Sequence, residues 1–354
     1  MRRVIGVVLA CWAAGACGDP VDHSQPQASA GEPVRWRMTS TFSSTLPLLG
    51  TMGKRIETEI ARVSGGTIEL KFHEPGALAP PFETFDAVAY GAIEAGWSTS
   101  GYWAGKVPAL QIFTSIPFGP SAPEYLAWFD HGGGREIFED IYRRRNIHGV
   151  ICGLSPPEAS GWFKRPIDRI EDFEGLKIRF FGLGGKVLEK VGVNTQLLAG
   201  GDIFPALELG TIDGTEFSMP AVDLDMGFYQ VADHYYFPGW HQQSSLFELI
   251  VNLDAWNGLT DTQRAQIETV CSANVRHGLS LGEALQVPAI KELADRGVTF
   301  HDWPPDILDR LEAAWTEVAA ELAAEDEEFR RAWTSLQAFR ADYPIWHDRG
   351  YLKR

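Results

Sequence analysis

The sequence predicts an α/β fold of two lobes joined by a hinge and followed by a long C-terminal helix. Three observations predict it. Strands alternate with helices along most of the chain, one helix–turn–strand unit occurs twice, and apolar residues beyond 303 recur at helical spacing.

Val34, Trp36 and Met38 alternate with Arg35 and Arg37, the pattern of a half-buried strand. A helix over Leu46–Val63 follows, stopped by Ser64-Gly65-Gly66. Thr67–Phe72 is the next strand, Phe82–Tyr90 a helix ended by Gly91, and Ala92–Thr99 a strand. The run Ala87–Glu94 matches Ala206–Asp213: each ends a helix on glycine and turns into a strand carrying Ile and an acid. Before the second copy lies a further unit, with strand Lys177–Phe181, helix Gly184–Val191 and strand Asn194–Leu198. Ligands of open α/β sheets sit at the carboxyl ends of strands. Trp97–Tyr102 and Glu216–Pro220 therefore aim at one cleft.

The ends of the chain differ from this body. Arg2 and Arg3 precede the short apolar run Val4–Ala14, which reads as a signal peptide and is too short to span a bilayer. Ala14-Gly15-Ala16-Cys17 is similar to a lipobox, so export ends either in lipidation of Cys17 or in simple cleavage. Gly18–Pro33 is polar, carries Pro20, Pro26 and Pro33, and reads as a tether. At the other end Leu308, Leu311, Trp315, Val318 and Leu322, then Phe329, Trp333, Leu336, Phe339 and Tyr343, form two helical series, the second ended by Pro344. Such a stripe needs an apolar partner, either its own lobe or a second copy of the chain. The expected divisions are leader 1–17, tether 18–33, first lobe 34–151, second lobe 152–242, return to the first lobe 243–303, and C-terminal helix with tail 304–354.

Composition excludes several classes. With 45% hydrophobic residues the chain has ample material for a core. A net charge of −16 argues against nucleic acid as a partner, because phosphate attraction needs positive charge. Four cysteines are too few for a disulfide scaffold or a multi-cysteine zinc module. Cys152 and Cys271 either pair in an oxidising compartment or stay as buried thiols. No nucleophile elbow, His-Glu-x-x-His run or phosphate loop is present. Gly182-Leu183-Gly184-Gly185 lacks the third glycine of a dinucleotide fingerprint, and His131–Gly134 reads as a turn.

The candidate residues are polar groups where strands end. Arg179 lies in an apolar strand and needs an anion, either an acid of the fold or a ligand carboxylate gripped by its planar fork. Glu216 follows Asp213-Gly214-Thr215 at the end of one matched strand, and Tyr102 offers a phenol at the end of the other. Glu158 sits in the Gly/Pro-rich run Gly153–Phe163, a candidate hinge. Two hypotheses follow: a receptor that closes on a small organic anion, or a secreted hydrolase with Glu158 and Glu216 as its carboxylate pair.

Particular phrases decide between them. Ser64-Gly65-Gly66, Phe85-Asp86-Ala87-Val88, Gly91–Glu94, Ile116–Gly119, Gly161–Lys164, Asp172–Arg179, Gly210–Gly214 and Phe228–Ala232 occur in that order. From about residue 34 to its end the chain resembles the solute-binding subunits of tripartite ATP-independent periplasmic (TRAP) transporters, DctP type. The run Tyr235–Trp240 and the tail Phe339…Trp346 are most similar to the branch that binds 2-oxo acids such as pyruvate, or lactate, with a metal ion. The resemblance implies a periplasmic-binding-protein-like fold, a non-enzymatic receptor, membrane subunits as partners and a homodimer made by the C-terminal helix. It implies that Arg179 grips the ligand carboxylate, that Tyr102, Glu158 and Trp240 also bind ligand, and that Glu158, Glu216 and the Phe217 carbonyl hold a calcium or sodium ion. Two positions depart from the branch: Glu158 stands where it has a metal-ligating glutamine, and Leu154 where it has a ligand-binding asparagine.

Overall fold

The structure is a computed structural model that describes residues 33–352. The leader, Cys17 and the tether up to residue 32 lie outside the described residues. Two sheets organise the rest. The first has the order β2-β1-β3-β10-β4, from β1 (Val34–Ser40), β2 (Ile68–His73), β3 (Ala95–Ser98), β4 (Ile147–Ser155) and β10 (Ser245–Asn252). The second has the order β11-β9-β5-β8-β6-β7, from β5 (Gly161–Phe163), β6 (Lys177–Arg179), β7 (Asn194–Gln196), β8 (Gly214–Thr215), β9 (His234–Phe237) and β11 (Thr299–Asp302).

β1 buries Trp36 and Met38 and exposes Arg35 and Arg37, as its alternation requires. β10 runs antiparallel between β3 and β4 and is buried along its whole length. The repeated unit folds the same way twice. Gly91 (φ 73°) and Gly210 (φ 70°) end their helices in the left-handed conformation that glycine adopts without strain. The amides of Ala92 and Ile93 then donate to the Ala87 carbonyl, as those of Thr211 and Ile212 donate to that of Ala206. The acids serve alike: Glu94 accepts from the Arg37 amide of the neighbouring strand, and Asp213 from the Lys177 amide, each at 2.9 Å.

Two features correct the expected divisions. β4 stays in the first sheet to Ser155, so the crossover begins at Pro156 rather than at residue 152. Within the 243–303 return, β11 pairs with β9 in the second sheet. The cause is the helix Asp261–Asp295, which starts at a Thr260/Gln263 capping box and runs on across both lobes. Its Asn274 amide donates to the carbonyls of Cys152 and Met52 near the first sheet. Its Gln286 accepts from the amide of Ala221, beyond the second. No helix of the described residues is long and apolar enough to cross a membrane.

Cys152 on β4 and Cys271 on this helix form a disulfide across 119 residues of chain. A cross-link over so long a loop restricts the unfolded chain and stabilises by roughly 2–5 kcal/mol. A Cys152→Ala/Cys271→Ala variant should lose stability of that order in urea unfolding; an unchanged midpoint would show that the packing of Asn274 suffices.

The C-terminal helix is long but divided at Asp326, whose side chain caps the second part: Pro305–Glu325 is followed by Glu327–Gly350. Pro344 does not end it, because the helix there is exposed and the carbonyl freed by proline can be hydrated. The apolar stripe finds its partner within the chain. Trp315, Leu322, Phe329 and Leu336 are buried in the core, with Trp333 and Phe339 packed against it. Need for a second copy therefore does not follow from the stripe. The last turns differ, since Ile345 and Trp346 are each 62% exposed.

Candidate functional site

Two short segments cross from sheet to sheet, and both reach one cavity. Pro156–Ser160 links β4 to β5, and residues 238–244 link β9 to β10. They are pinned together by main-chain bonds from Glu158 N to Gln242 O and from Gly239 N to Glu158 O, each 3.0 Å. Segments that change sheet while bonded to each other are natural pivots, and here they carry the polar groups.

The cavity is lined from the first lobe by Phe42, Leu49, Thr99, Tyr102, Thr114, Ser245 and Phe247. The second lobe adds Arg179, Phe181 and Phe217, and the crossovers add Glu158 and Gln242. Arg179 is the one cationic side chain in this lining. The lobes are in contact across it: the rings of Tyr102 and Phe181 lie 5.1 Å apart, edge to face. Gly101 is required there, because a Cβ would stand 2.4 Å from the Phe181 ring.

Arg179, 1% exposed at the end of β6, is an ion-paired residue. Its Nη1 donates to Glu216 Oε2 at 3.0 Å and to the Glu216 carbonyl, and its Nε to the Leu198 carbonyl at 3.3 Å. The guanidinium lies over the Phe217 ring at 5.2 Å. Glu216 is fully buried and also accepts from the Phe181 amide. Burial pushes its carboxyl up, but the charge of Arg179 and the neighbouring His241 outweigh this and hold it below the usual range. Glu158 has no such cation beside it. Burial, then the charges of Glu216 and Asp223, push its carboxyl well above the usual range. Behind them Asp223, bonded to Trp162 Nε1 (2.9 Å) and the Tyr235 hydroxyl (2.8 Å), is pushed up to about 7 by burial.

The structure brings Arg179, Glu216, Glu158, Tyr102 and Phe217 together. Trp240, expected to bind ligand, is buried in the core, stacked between Phe118 and Phe180, and is not among the residues that line the cavity. The residue beside it, His241, was missed by sequence reasoning. One ligand atom from each of Glu158, Glu216 and His241 lies within 4.8 Å of the other two. Glu158 Oε2, Glu216 Oε1 and both ring nitrogens of His241 are buried without a hydrogen bond among the described residues, His241 Nε2 facing Glu216 Oε1 at the longer ion-pair distance of 3.6 Å. Unsatisfied oxygens of this kind are costly in a low dielectric, and a cation among them would satisfy them. The residues present therefore fit a metal ion.

On the first-lobe side, Tyr102 is placed by its neighbours. Burial pushes its phenol up to about 12, so it stays a neutral donor. Trp103 donates to the buried Glu248, which also accepts from Tyr142. Burial pushes Glu248 up to about 7 from an ordinary 4.5. A carboxyl that ionises later in the folded than in the unfolded protein contributes stability at low pH, lost as pH rises between these values, on the order of 3 kcal/mol. Urea midpoints should therefore fall between about pH 4.5 and 7, and fall less in Glu248→Gln. Parallel profiles would remove Glu248 as a source.

A cavity at the crossovers between two lobes, lined by one cation, one carboxylate and aromatic walls with Glu216 paired behind the cation, is the kind of site a receptor for a small anion has. The chain belongs to family 7 of the bacterial extracellular solute-binding proteins, DctP, whose model matches residues 39–326. It is 32% identical, over 98% of its length and 95% of the relative's, to a monocarboxylate 2-oxoacid-binding periplasmic protein of Nostoc. Its fold superposes with a TM-score of 0.88 on a TRAP solute-binding protein of Bordetella bronchiseptica, 30% identical, over 90% of this chain and 95% of that one. That protein was a mixed-occupancy dimer with copurified calcium and picolinate at one site. A third relative, from Pseudoalteromonas atlantica, holds sodium and pyruvate; it is 28% identical with a TM-score of 0.85, over 89% and 96% of the two chains. The family is one of receptors, so the chain is not an enzyme and the hydrolase reading of Glu158 and Glu216 falls.

Proposed function

We propose that the chain captures a small 2-oxo or 2-hydroxy monocarboxylate, such as pyruvate or lactate, as a metal complex in the periplasm and delivers it to the membrane subunits of a TRAP transporter. The observation that carries this is a single buried arginine at a cavity lined by Glu158, with Glu158 Oε2 and the adjacent Glu216 Oε1 lacking a hydrogen-bond partner among the described residues. One cation suits one carboxylate, and no second cation in the lining would receive another. The relatives that hold pyruvate or picolinate with sodium or calcium support the reading.

In this reading Arg179 gives the carboxylate charge-assisted hydrogen bonds while Glu216 and Phe217 hold its fork in place. Tyr102 adds a neutral hydroxyl from the facing lobe. Phe181 and Phe247 shed water as the lobes meet, which strengthens each polar contact inside. Glu158, Glu216 and the Phe217 carbonyl would hold a metal ion, which would supply positive charge to the captured acid. A thermal-shift screen of organic acids, each with and without calcium or sodium, tests the proposal. Stabilisation by 2-oxo or 2-hydroxy monocarboxylates is expected; a response to dicarboxylates alone would overturn it.

The homodimer is proposed through the exposed end of the last helix, not its buried stripe. Ile345, Trp346 and Leu352, the last 90% exposed, are large apolar side chains left in solvent near the end of the chain, suited to a second copy. Ile345→Asp/Trp346→Asp should sediment as a monomer with unaltered ligand affinity. A monomeric parent at concentrations on the order of tens of micromolar, well above a typical stable-dimer Kd, would sink this part.

A further inference from the structure

We propose that His234 and His301 form a binding site for a copper(II) ion on the second sheet, apart from the capture cavity. Neither histidine lines that cavity, so the inference stands whatever accompanies the captured acid.

The pair follows from strand register. β9 and β11 run parallel, with His234 opposite Thr299 and Tyr236 opposite His301. Alternate residues of a strand share a face, so His234, Tyr236 and His301 stand on the same one, the histidines diagonal to each other across the strands. His234 Nδ1 lies 2.9 Å from His301 Nε2, and neither ring makes another hydrogen bond among the described residues. Tyr236 fixes the His301 ring by stacking on it at 4.5 Å between centroids, 10° from parallel. Tyr236 is itself anchored by Trp303, stacked at 4.3 Å, and by the Ile167 amide, which donates to its hydroxyl at 2.6 Å. Both histidines are half-buried and β11 is the edge strand, so an ion can reach them from solvent. The main-chain ladder already joins β9 to β11, and the imidazoles are not needed to hold the edge.

The spacing chooses the ion. Two nitrogens, each about 2.0 Å from one ion, stand roughly 2.8 Å apart at a right angle and roughly 3.3 Å apart at the tetrahedral angle. The 2.9 Å between the rings fits neighbouring positions of a square-planar or tetragonal centre, the geometry of copper(II), better than tetrahedral zinc. Copper(II) also stands highest in the affinity order of the divalent series, whereas calcium needs oxygen donors. As a neutral pair the rings share one proton, donated from one facing nitrogen to the other. Burial, then its neighbour His234, hold His301 below the usual range, which favours this neutral form. Binding sends the shared proton to water, and each ring turns so that its lone pair meets the ion. Waters complete the coordination.

The test titrates untagged, chelator-treated full-length protein, its Cys11 and Cys17 alkylated, with copper(II) or zinc(II). Electron paramagnetic resonance of the first equivalent of copper is expected to show two equatorial imidazole nitrogens, and calorimetry to show copper bound more tightly than zinc. His234→Gln and His301→Gln should each remove one of those nitrogens and weaken copper about ten-fold or more, at least what loss of an outer partner of a metal ligand costs. If His301→Gln fails to fold by circular dichroism, His234→Gln and the parent's spectrum still decide. Fewer than two nitrogens in the parent, or variants that bind copper as the parent does, would overturn the site. Displacement of the copper by pyruvate with calcium would place it in the capture cavity and overturn the site too. Zinc bound as tightly as copper would overturn the choice of ion.

Discussion

Arg179→Ala is expected to abolish measurable capture of pyruvate or lactate. Losing one partner of a desolvated, charge-assisted pair costs about 2–5 kcal/mol, or roughly 30-fold to several thousand-fold in Kd. Lysine should rescue little, since a point charge cannot reach the Glu216 carboxylate and the Leu198 carbonyl as the planar fork does while also serving a ligand. The ion pair adds a second consequence. Arg179→Ala leaves Glu216 buried beside Glu158 without its cation, so the ligand-free protein should lose stability as well, by about 3–5 kcal/mol. Two effects then need separating. Arg179→Met/Glu216→Gln removes both charges and should recover most of the stability but none of the binding. If the double variant binds like the parent, Arg179 belongs to the fold alone; if Arg179→Ala binds normally, the assignment is wrong outright.

Legibility in the sequence followed how local the physics is. The repeated unit could be read because a helix ended by a left-handed glycine, then Ile and an acid, is a local arrangement, and Glu94 and Asp213 proved to cap the same amide of their neighbouring strands. Arg179 could be read because a guanidinium within Lys177–Phe181 must meet an anion. Its partner was the less visible part: Glu216, the acid of the fold that Arg179 meets, is 37 residues away, while the ligand reading of Arg179 is the one proposed above. The helix Asp261–Asp295 escaped because its buried face interrupts Ile267, Val270, Cys271, Ala289 and Leu293 with Asn274, Gly278 and Gly282 in place of a continuous apolar stripe. Asn274, Gly278 and Gly282 serve close approach and a main-chain bond to β4, which periodicity does not register. His241 escaped for a similar reason. A histidine after Trp240 looks like packing until Glu158 and Glu216 arrive beside it. Trp240 misled in the opposite direction, because an aromatic residue in a crossover can face the cavity or the core, and spacing does not choose.

Removing every cation is expected to weaken pyruvate binding by a hundred-fold or more. Glu158 and Glu216 offer oxygens within 4.8 Å of each other, both buried, and the captured carboxylate would be a third negative group. At an effective dielectric of about 20, a carboxylate captured at a similar separation from a charged Glu158 is repelled by about 3 kcal/mol, which alone is more than a hundred-fold in affinity. Arg179 is already paired with Glu216 and cannot cancel the remainder. A divalent ion can, whereas a monovalent one leaves a negative charge uncompensated. Glu158→Gln restores the neutral amide that the 2-oxo acid branch carries at this position. The variant should therefore bind pyruvate with sodium alone, while the parent requires a divalent ion. The rival is that Glu158, whose carboxyl is pushed well up by burial and by Glu216, keeps its proton and needs no ion. Ligand titrations of chelator-treated protein, with sodium or a divalent ion added back to parent and variant, separate the two. Cation-independent affinity in both proteins would establish the protonated acid. A change from divalent to sodium dependence in Glu158→Gln would establish that this carboxylate sets the charge of the ion.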